Sequence, residues 1–442
     1  MKRFTKPEWA WMLYDFTTNA YSTIILTAIF PIFFNSVLGK DVLGLELKGY
    51  AQSFIMIVAA LSSPILGRLG DTKGVKKRLW AGFAFGGALL TAWLAVIGNS
   101  SWALLLAGYI LSNIAFNCAS LFYDSFITDV TTQDRMNKVS TTAFAIGYFG
   151  GGTITLVITA VLMFTMKNAV HAVQISFAIT ALWWFVFSLP MLFRVHQTHY
   201  NTAPLREVTR TLFTELRVTI RSIAANKGML RFMLAYFFYI DGVGTVITMA
   251  TSYGSTLGLN STLMIVAILT TQIVAIPFSI LFGHLADRFT AIRMISIAIV
   301  VYVVICILGY YMGHSIENAM PGSAAYHAAI SRGQILFWVM AGMVGAVQGG
   351  IQALSRSQFG QMVRGQRSNE YFGFFNIFNR FASILGPLLM ALVTTITGRS
   401  SDGILSLVIL FAIGGALLMS SRHHIHRATV DVSQPEDESV FG

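Results

Sequence analysis

Charge is scarce in this chain, and the scarcity excludes more than any motif does. Asp, Glu, Lys and Arg make up 11% of the 442 residues and hydrophobic residues 55%, whereas soluble domains carry roughly 25% charge. A water-soluble fold is excluded. Cysteine is nearly absent: Cys118 and Cys306 both fall in apolar stretches, which excludes a disulfide framework and a thiolate metal site. No Gly-rich phosphate loop is present, so no nucleotide-driven step is expected. Neither a cofactor nor a metal is expected; His423, His424 and His426 lack a further ligand nearby and read as a solvated basic tail. His284 has no carboxylate or cysteine at ligand spacing, and no nucleophile stands with a base, so the chain is not expected to be an enzyme.

Long apolar runs are what the chain has instead. A helix needs about 20 residues to cross a bilayer, and twelve windows qualify. Helices 1 to 6 are expected at 11–38, 50–70, 79–98, 102–127, 140–166 and 171–194. Helices 7 to 12 are expected at 230–256, 261–285, 291–312, 333–356, 371–397 and 402–421. The first window carries Asp15 and no small-residue cleavage site, so it reads as a retained helix. The organisation expected is an all-α membrane protein: a six-helix bundle over 1–194, a linker over 195–229, a second bundle over 230–421 and a tail over 422–442. In the linker, Leu205, Val208, Leu212, Leu216 and Ile220 recur at helical spacing among arginines, which predicts an amphipathic helix on the anionic inner leaflet. The acidic stretch Asp431 to Glu438 predicts a disordered tail.

Lys and Arg gather in cytoplasmic segments of membrane proteins. Lys40, Lys48, Lys167, Arg332 and Arg399 lie in one set of loops and Arg380 inside a span, while the other 24 of the 30 lie at the termini and in the alternate loops. Both termini are therefore expected in the cytoplasm. The net charge of +11 reflects that topology, and its dispersal beside the bilayer argues against nucleic-acid binding. The partners expected are a small solute, membrane lipids and a coupling proton; the chain is expected to be a monomer of the cell membrane.

The chain is a duplication. Gly67-Arg68-Leu69-Gly70-Asp71 returns 216 positions later as Gly283-His284-Leu285-Ala286-Asp287, and each copy opens a basic turn. Polar residues within the spans also repeat: Asp15, Asn19 and Ser22 on helix 1, Asn113, Asn117, Ser120 and Asp124 on helix 4, Asp241, Thr245, Thr248 and Ser252 on helix 7, and Gln348, Gln352 and Ser355 on helix 10. The spacing places each set on one helical face. Lipid cannot solvate such stripes, so they must face one another or a wet cavity. Isolated Ser and Thr residues are explained as well by interhelical hydrogen bonds, but four stripes on every third helix point to a shared cavity. Asn376 and Arg380 on helix 11, one turn apart, complete the set of candidate site residues. The runs Gly147 to Gly152 and Gly342, Gly345, Gly349 read as close helix packing.

Gly-x-x-x-Asp before a basic turn, repeated after helix 8, resembles the loop signature of the major facilitator superfamily. Within that superfamily, Leu13-Tyr14-Asp15, Asp241-Gly242-Val243, the run from Gln348-Gly349-Gly350 to Ser355-Arg356-Ser357, Tyr371-Phe372-Gly373 and Leu385-Gly386-Pro387 resemble the autophagy-related vacuolar effluxer-like family. The resemblance implies twelve helices in two pseudo-symmetric six-helix bundles, a cavity lined by helices 1, 4, 7 and 10, and amino-acid efflux. The chain departs from that family at Phe16 to Asn19, where the polar identities differ, and at Thr72 and Thr290, which implies a weaker lock.

Gating is expected of Gly67, Asp71, Gly74, Gly283, Asp287 and Arg288, with Asp124 and Arg356 at cytoplasmic helix ends. A carboxylate after helix 2 or 8 suits the free amides that open a helix in the opposite half. Asp71 is expected to meet Ser368, Asn369 and Glu370, and Asp287 to meet Ser140 and Thr141. Asp241 and Arg380, both deep in spans, are expected to pair or to divide a solute's amine and carboxylate between them, with Asp15 as a second proton or amine site. Abundant aromatics beside the stripes leave open an exporter of an amphiphilic drug or lipid-like metabolite. A non-transporting sensor is the third alternative.

Overall fold

The structure is a computed structural model that describes residues 3–38, 43–363, 365–381 and 384–425. His426 and the acidic stretch 431–438 lie outside the described residues. Every regular element among the described residues is helical. Among the described residues, eleven helices are long and apolar enough to cross a membrane, from Tyr50–Gly70 to Ser400–Ser420. Helix 1 runs as Lys6–Leu13, Asp15–Tyr21, Ser22–Ala28 and Ile29–Leu38, its third part wound as a π turn.

Helix ends are where lipid is least forgiving, because the first amides and last carbonyls have no intrahelical partner. Side chains cap them. Thr5 and Glu8 form a reciprocal box at the start of helix 1, and Ser101, Asn168, Asn226, Asn260 and Ser323 accept from the first amides of helices 4, 6, 7, 8 and 10. Several helices outrun their apolar windows: helix 5 starts at Met136, and helix 10 spans Ala324–Gln361. Polar turns beyond the hydrocarbon carry no hydropathy signal. Helix 11 is assigned as Ser368–Phe381 and Leu385–Thr397.

The halves meet along two seams, helix 2 with the first part of helix 11, and helix 5 with helices 8 and 10. Both seams lie toward the end of the bundle where helix 1 begins, helix 12 finishes and most of the basic residues gather, here the basic end. At the other end Ile29–Leu38, Ile154–Thr165 and Leu385–Thr397 pack on elements of their own half. Among the described residues the cleft between the halves is therefore closed at the basic end and open toward the far end. Close approach explains the repeated glycines. A side-chain carbon at Gly67 would lie 2.9 Å from the backbone carbon of Asn369, and one at Gly283 would lie 3.1 Å from Cβ of Thr141.

The linker helix, Leu205–Ala225, forms as expected and buries Val208, Thr219 and Ile223, while Leu205, Phe213, Val218 and Ile220 stay exposed. One edge grips the protein; the other remains free for the membrane surface.

The duplicated turns differ in one backbone position. Gly74 takes φ +73°, and Thr290, its counterpart 216 positions on, takes φ +85° with ψ 145°. That region is nearly reserved for glycine, and holding a β-branched residue there stores about 1–3 kcal/mol of strain. Thr290→Gly is expected to stabilise the fold by about 1 kcal/mol once glycine's larger unfolded-state entropy is set against the relieved strain. A melting curve in detergent checks it; an unchanged or lower midpoint would show Thr290 to be unstrained.

Candidate functional site

Asp71 follows helix 2, fully buried at the seam with helix 11. Its Oδ1 accepts from the backbone N–H of Asn369 at 3.0 Å and from Asn369 Nδ2 at 2.8 Å, and its Oδ2 accepts from the N–H of Glu370 at 3.0 Å. These amides are free because helix 11 begins at Ser368, and a helix N-terminus favours an anion. Ser368 itself takes no part. Around this contact Ser125 donates to the Asn369 side chain, Arg68 stands 3.5 Å from Glu370, and Thr219 of the linker helix donates to Glu370 at 2.5 Å. Glu215 of the linker helix joins Arg68 and Arg367. Sequence reading missed the roles of Arg68, Glu215 and Thr219, although Arg68 precedes Asp71 by three residues and so shares its helical face.

The second copy does not lock. Asp287 is exposed and makes no hydrogen bond or ion pair among the described residues. The expected bonds from Ser140 and Thr141 fail because helix 5 begins at Met136, which leaves both amides inside the helix, already used. Ser140 Oγ donates instead to the Ala353 carbonyl at 2.8 Å, and Thr141 to Asn137. Arg288 is exposed and lies over the ring of Phe289.

Helix 10 fills that seam through Arg356. Its guanidinium is buried among helices of the other half, 4.6 Å from the Trp11 ring and 4.7 Å from Phe144. Nε donates to Ser140 Oγ at 3.0 Å; Nη2 lies 3.6 Å from Asp15, and Nη1 3.3 Å from Asp124. Asp124 and Arg356, read from sequence as gate residues, thus share one cluster with Asp15. Two carboxylates from the first half hold one cation from the second.

The midplane stripes follow a common device. Asn19 donates to the carbonyl of Asp15, Asn117 to that of Asn113, and Gln352 to that of Gln348, each four residues back on its own helix. Asn117 Nδ2 also donates to Asn113 Oδ1 at 2.8 Å, which leaves Asn117 Oδ1 as an acceptor and Asn113 Nδ2 as a donor. Asn113 Nδ2, Asn117 Oδ1, Asn376 Nδ2 and Asp241 Oδ1 are buried without a hydrogen-bond partner, and buried polar atoms of that kind mark places for water or solute. Glycines of helix 5 bring it against helix 1 here: a side-chain carbon at Gly151 would lie 2.7 Å from Cβ of Asn19.

The pairing of Asp241 with Arg380 is not formed. Asp241 Oδ2 accepts from the backbone N–H of Gly386 at 2.8 Å, capping the second part of helix 11, with Thr245 beside it against Gly386. A helix terminus satisfies that carboxylate in place of a cation. Arg380 is half-buried, has no ion pair among the described residues, and has Asp124 as the carboxylate whose field it feels.

Residues 127–432 match the family described as "Vacuole effluxer Atg22 like". An uncharacterized MFS-type transporter of Bacillus subtilis, YxiO, is 40% identical over 99% of this chain and 99% of its own. Autophagy-related protein 22 of Saccharomyces cerevisiae is 22% identical over 82% of this chain and 74% of its own. Among solved structures, the transporter FucP in its outward conformation aligns with TM-score 0.64 at 13% identity, covering 94% of this chain and 98% of its own. The proton:xylose symporter XylE aligns with TM-score 0.67 at 12% identity, covering 94% and 95%. At that identity the likeness shows the fold.

Burial pushes the Asp71 carboxyl up to about 7, and the nearby Glu370 carboxylate adds to the shift against the opposing hydrogen bonds and Lys76. In an opened gate Asp71 would be hydrated, with a pKa of about 3.9. The closed state therefore binds the proton more tightly, so closure is favoured as pH falls from about 7 toward about 4 and weakened above it. Asp71→Asn is expected to remove this closing effect of acid and to favour the state open at the basic end, because its NH2 faces an amide N–H. Single cysteines placed on the two faces of the cleft report the population by labelling rate. Identical labelling of wild type and variant across that pH range would sink the assignment.

Proposed function

The chain belongs to the Atg22-like vacuole effluxer family of major facilitator transporters, and we propose from that premise that it exports an amino acid by proton-coupled alternating access. The observation that carries the proposal is the arrangement of Asp15, Asp124, Arg356 and Arg380. Two carboxylates share one guanidinium, and Arg380 has no carboxylate of its own among the described residues. A zwitterion matches this charge pattern: its amine suits the surplus carboxylate near Asp124, and its carboxylate suits Arg380 through a bidentate contact. On helix 4 the unpartnered Asn117 Oδ1 suits a donor such as an ammonium group, and the unpartnered Asn113 Nδ2 suits a carboxylate. Gln348, Gln352, Asn376 and Asp241 supply the wall from the second half.

Coupling follows from which half owns which charge. Arg356 comes from the second half and its carboxylates from the first, so opening the basic end must separate them. A proton or a solute amine that neutralises Asp124 or Asp15 weakens the attraction holding the halves together. One proton crossing ~100 mV releases about 2.3 kcal/mol, enough for roughly a 50-fold gradient of a neutral solute. With both termini in the cytoplasm, as the Lys and Arg distribution favours, the closed end faces the cytoplasm and the open end faces outward. The cell membrane is the location we propose.

Export of an amphiphile is the second reading. Phe237, Ile377, Phe378, Ile384 and Leu385 line an apolar groove beside helix 11, which an acyl or aromatic group would fill.

Proteoliposomes loaded with a labelled amino-acid panel test the proposal. Saturable efflux is expected, accelerated by an imposed proton gradient. Arg380→Ala is expected to raise KM about tenfold to a hundredfold, the value of a hydrogen bond to a charged group. Asp124→Asn is expected to leave exchange intact while removing the acceleration by the proton gradient. Absence of flux for every amino acid, from protein shown to be folded, would overturn the amino-acid assignment and favour the amphiphile.

A further inference from the structure

Where helix 3 begins and helix 6 ends, a groove is lined by Lys73, Lys77, Arg78, His196, Gln197 and Tyr200. None of its four basic groups forms an ion pair among the described residues. The carboxylates close by are already engaged. Asp71 accepts from helix 11. Asp129 is held by Lys76 at 2.7 Å and accepts from Thr198 and His199. Lys73 is partly positioned, its Nζ lying 5.3 Å from the Tyr200 ring centre. The cations therefore converge on a space with no counter-charge.

The floor of this groove is apolar, formed by Ala81 and Leu192. From Arg78, a strip of helix 3 runs into the membrane through Gly82 and Gly86, each four residues on; a side-chain carbon at either would meet nothing within 4 Å. Phe85, packed on Phe185 at 5.3 Å, stands beside the strip. A cationic mouth at the membrane boundary above a bare apolar track has the shape of a lipid with a charged head.

We propose that this groove binds a phosphate-bearing anion, and that its occupant is the headgroup of an anionic phospholipid whose acyl chain follows Gly82 and Gly86. Lys73, Lys77 and Arg78 contact the phosphate, with His196 at the rim. Binding braces the gate, because the groove's walls are tied to the turn that carries Asp71. Gly74 N–H donates to Gln197 Oε1 at 3.0 Å and Gln197 Nε2 to the Gly70 carbonyl at 3.0 Å. Lys73 N–H donates to the Asn201 carbonyl at 3.1 Å, and Asn201 N–H to the Asp71 carbonyl at 2.7 Å. An occupied groove holds the turn in the form that meets helix 11.

The test counts lipids retained by the full chain. Protein is reconstituted in phosphatidylcholine doped with phosphatidylglycerol, and bound lipid is measured by native mass spectrometry. Wild type is expected to keep one phosphatidylglycerol. The combination Lys73→Gln, Lys77→Gln and Arg78→Gln is expected to weaken retention about a hundredfold, since each cation near an anionic surface contributes about 1 kcal/mol, a factor of about five. Arg217→Gln with Arg221→Gln, on the exposed side of the linker helix, is expected to keep it. If the triple variant melts early in phosphatidylcholine alone, Arg78→Gln carries the test with an about fivefold loss. Short-chain phosphatidylglycerol is expected to raise the melting midpoint where inorganic phosphate does not. An equal rise with inorganic phosphate would overturn the lipid occupant, and no retention, or equal retention in the two variants, would overturn the site.

Discussion

A bilayer offers no hydrogen bonds, so every polar group placed in it must find a partner within the protein. The rest of this structure depends on that constraint. It makes each span a helix and it demands the Asn, Ser and Thr caps at helix starts. It also decides what a gate can be made of. Asp71 is worth burying only because helix 11 begins where its free amides can receive the carboxylate, and Arg356 can sit among aromatic rings only because Asp15, Asp124 and Ser140 surround it. Gating and solute binding thereby draw on one requirement, since any motion that separates these partners must offer replacements. Water entering from the basic end is one replacement; a proton or an ammonium group is another.

The parts of the fold that were legible in the sequence are those that follow from period and hydropathy. Twelve apolar windows, the duplication at Asp71 and Asp287, and the amphipathic linker each have a local cause, and each is visible in composition. The meeting of Asp71 with Asn369 and Glu370 follows from the same logic, because a free helix start is itself a sequence signal. What could not be read was the choice between competing partners. Asp241 and Arg380 lie at similar depths with opposite charge, yet the helix start at Gly386 takes one oxygen of the carboxylate, and the cation has no ion pair among the described residues. Pairing across a bundle depends on rotation about helix axes, which no periodicity fixes. Arg356 shows the converse: near a helix end it resembled a gate residue, while three-dimensional packing brings it to Asp15.

The boundary of helix 5 illustrates how a small shift changes a function. Its apolar window opens at 140, so Ser140 and Thr141 looked like the first turn and Asp287 like their partner. The helix starts at Met136, its polar turn lying beyond the hydrocarbon where hydropathy is blind. Those four residues remove the free amides from Ser140 and Thr141. Asp287 is left in water, and the Ser140 hydroxyl is taken up by Arg356 and the Ala353 carbonyl.

Duplication therefore yields two seams of unequal chemistry. The helix 2 seam is held by a carboxylate on a helix start, with Arg68, Glu370 and the linker helix packed around it. The helix 5 seam is held by Arg356, whose carboxylate partners Asp15 and Asp124 stand on helices 1 and 4. On the function proposed above, a solute or proton acts on this second seam, whereas the first is tied to the groove side through the turn at Lys73 and Gly74 and to the linker helix. The strained Thr290, standing where the first copy has Gly74, lies in the copy whose carboxylate carries no load.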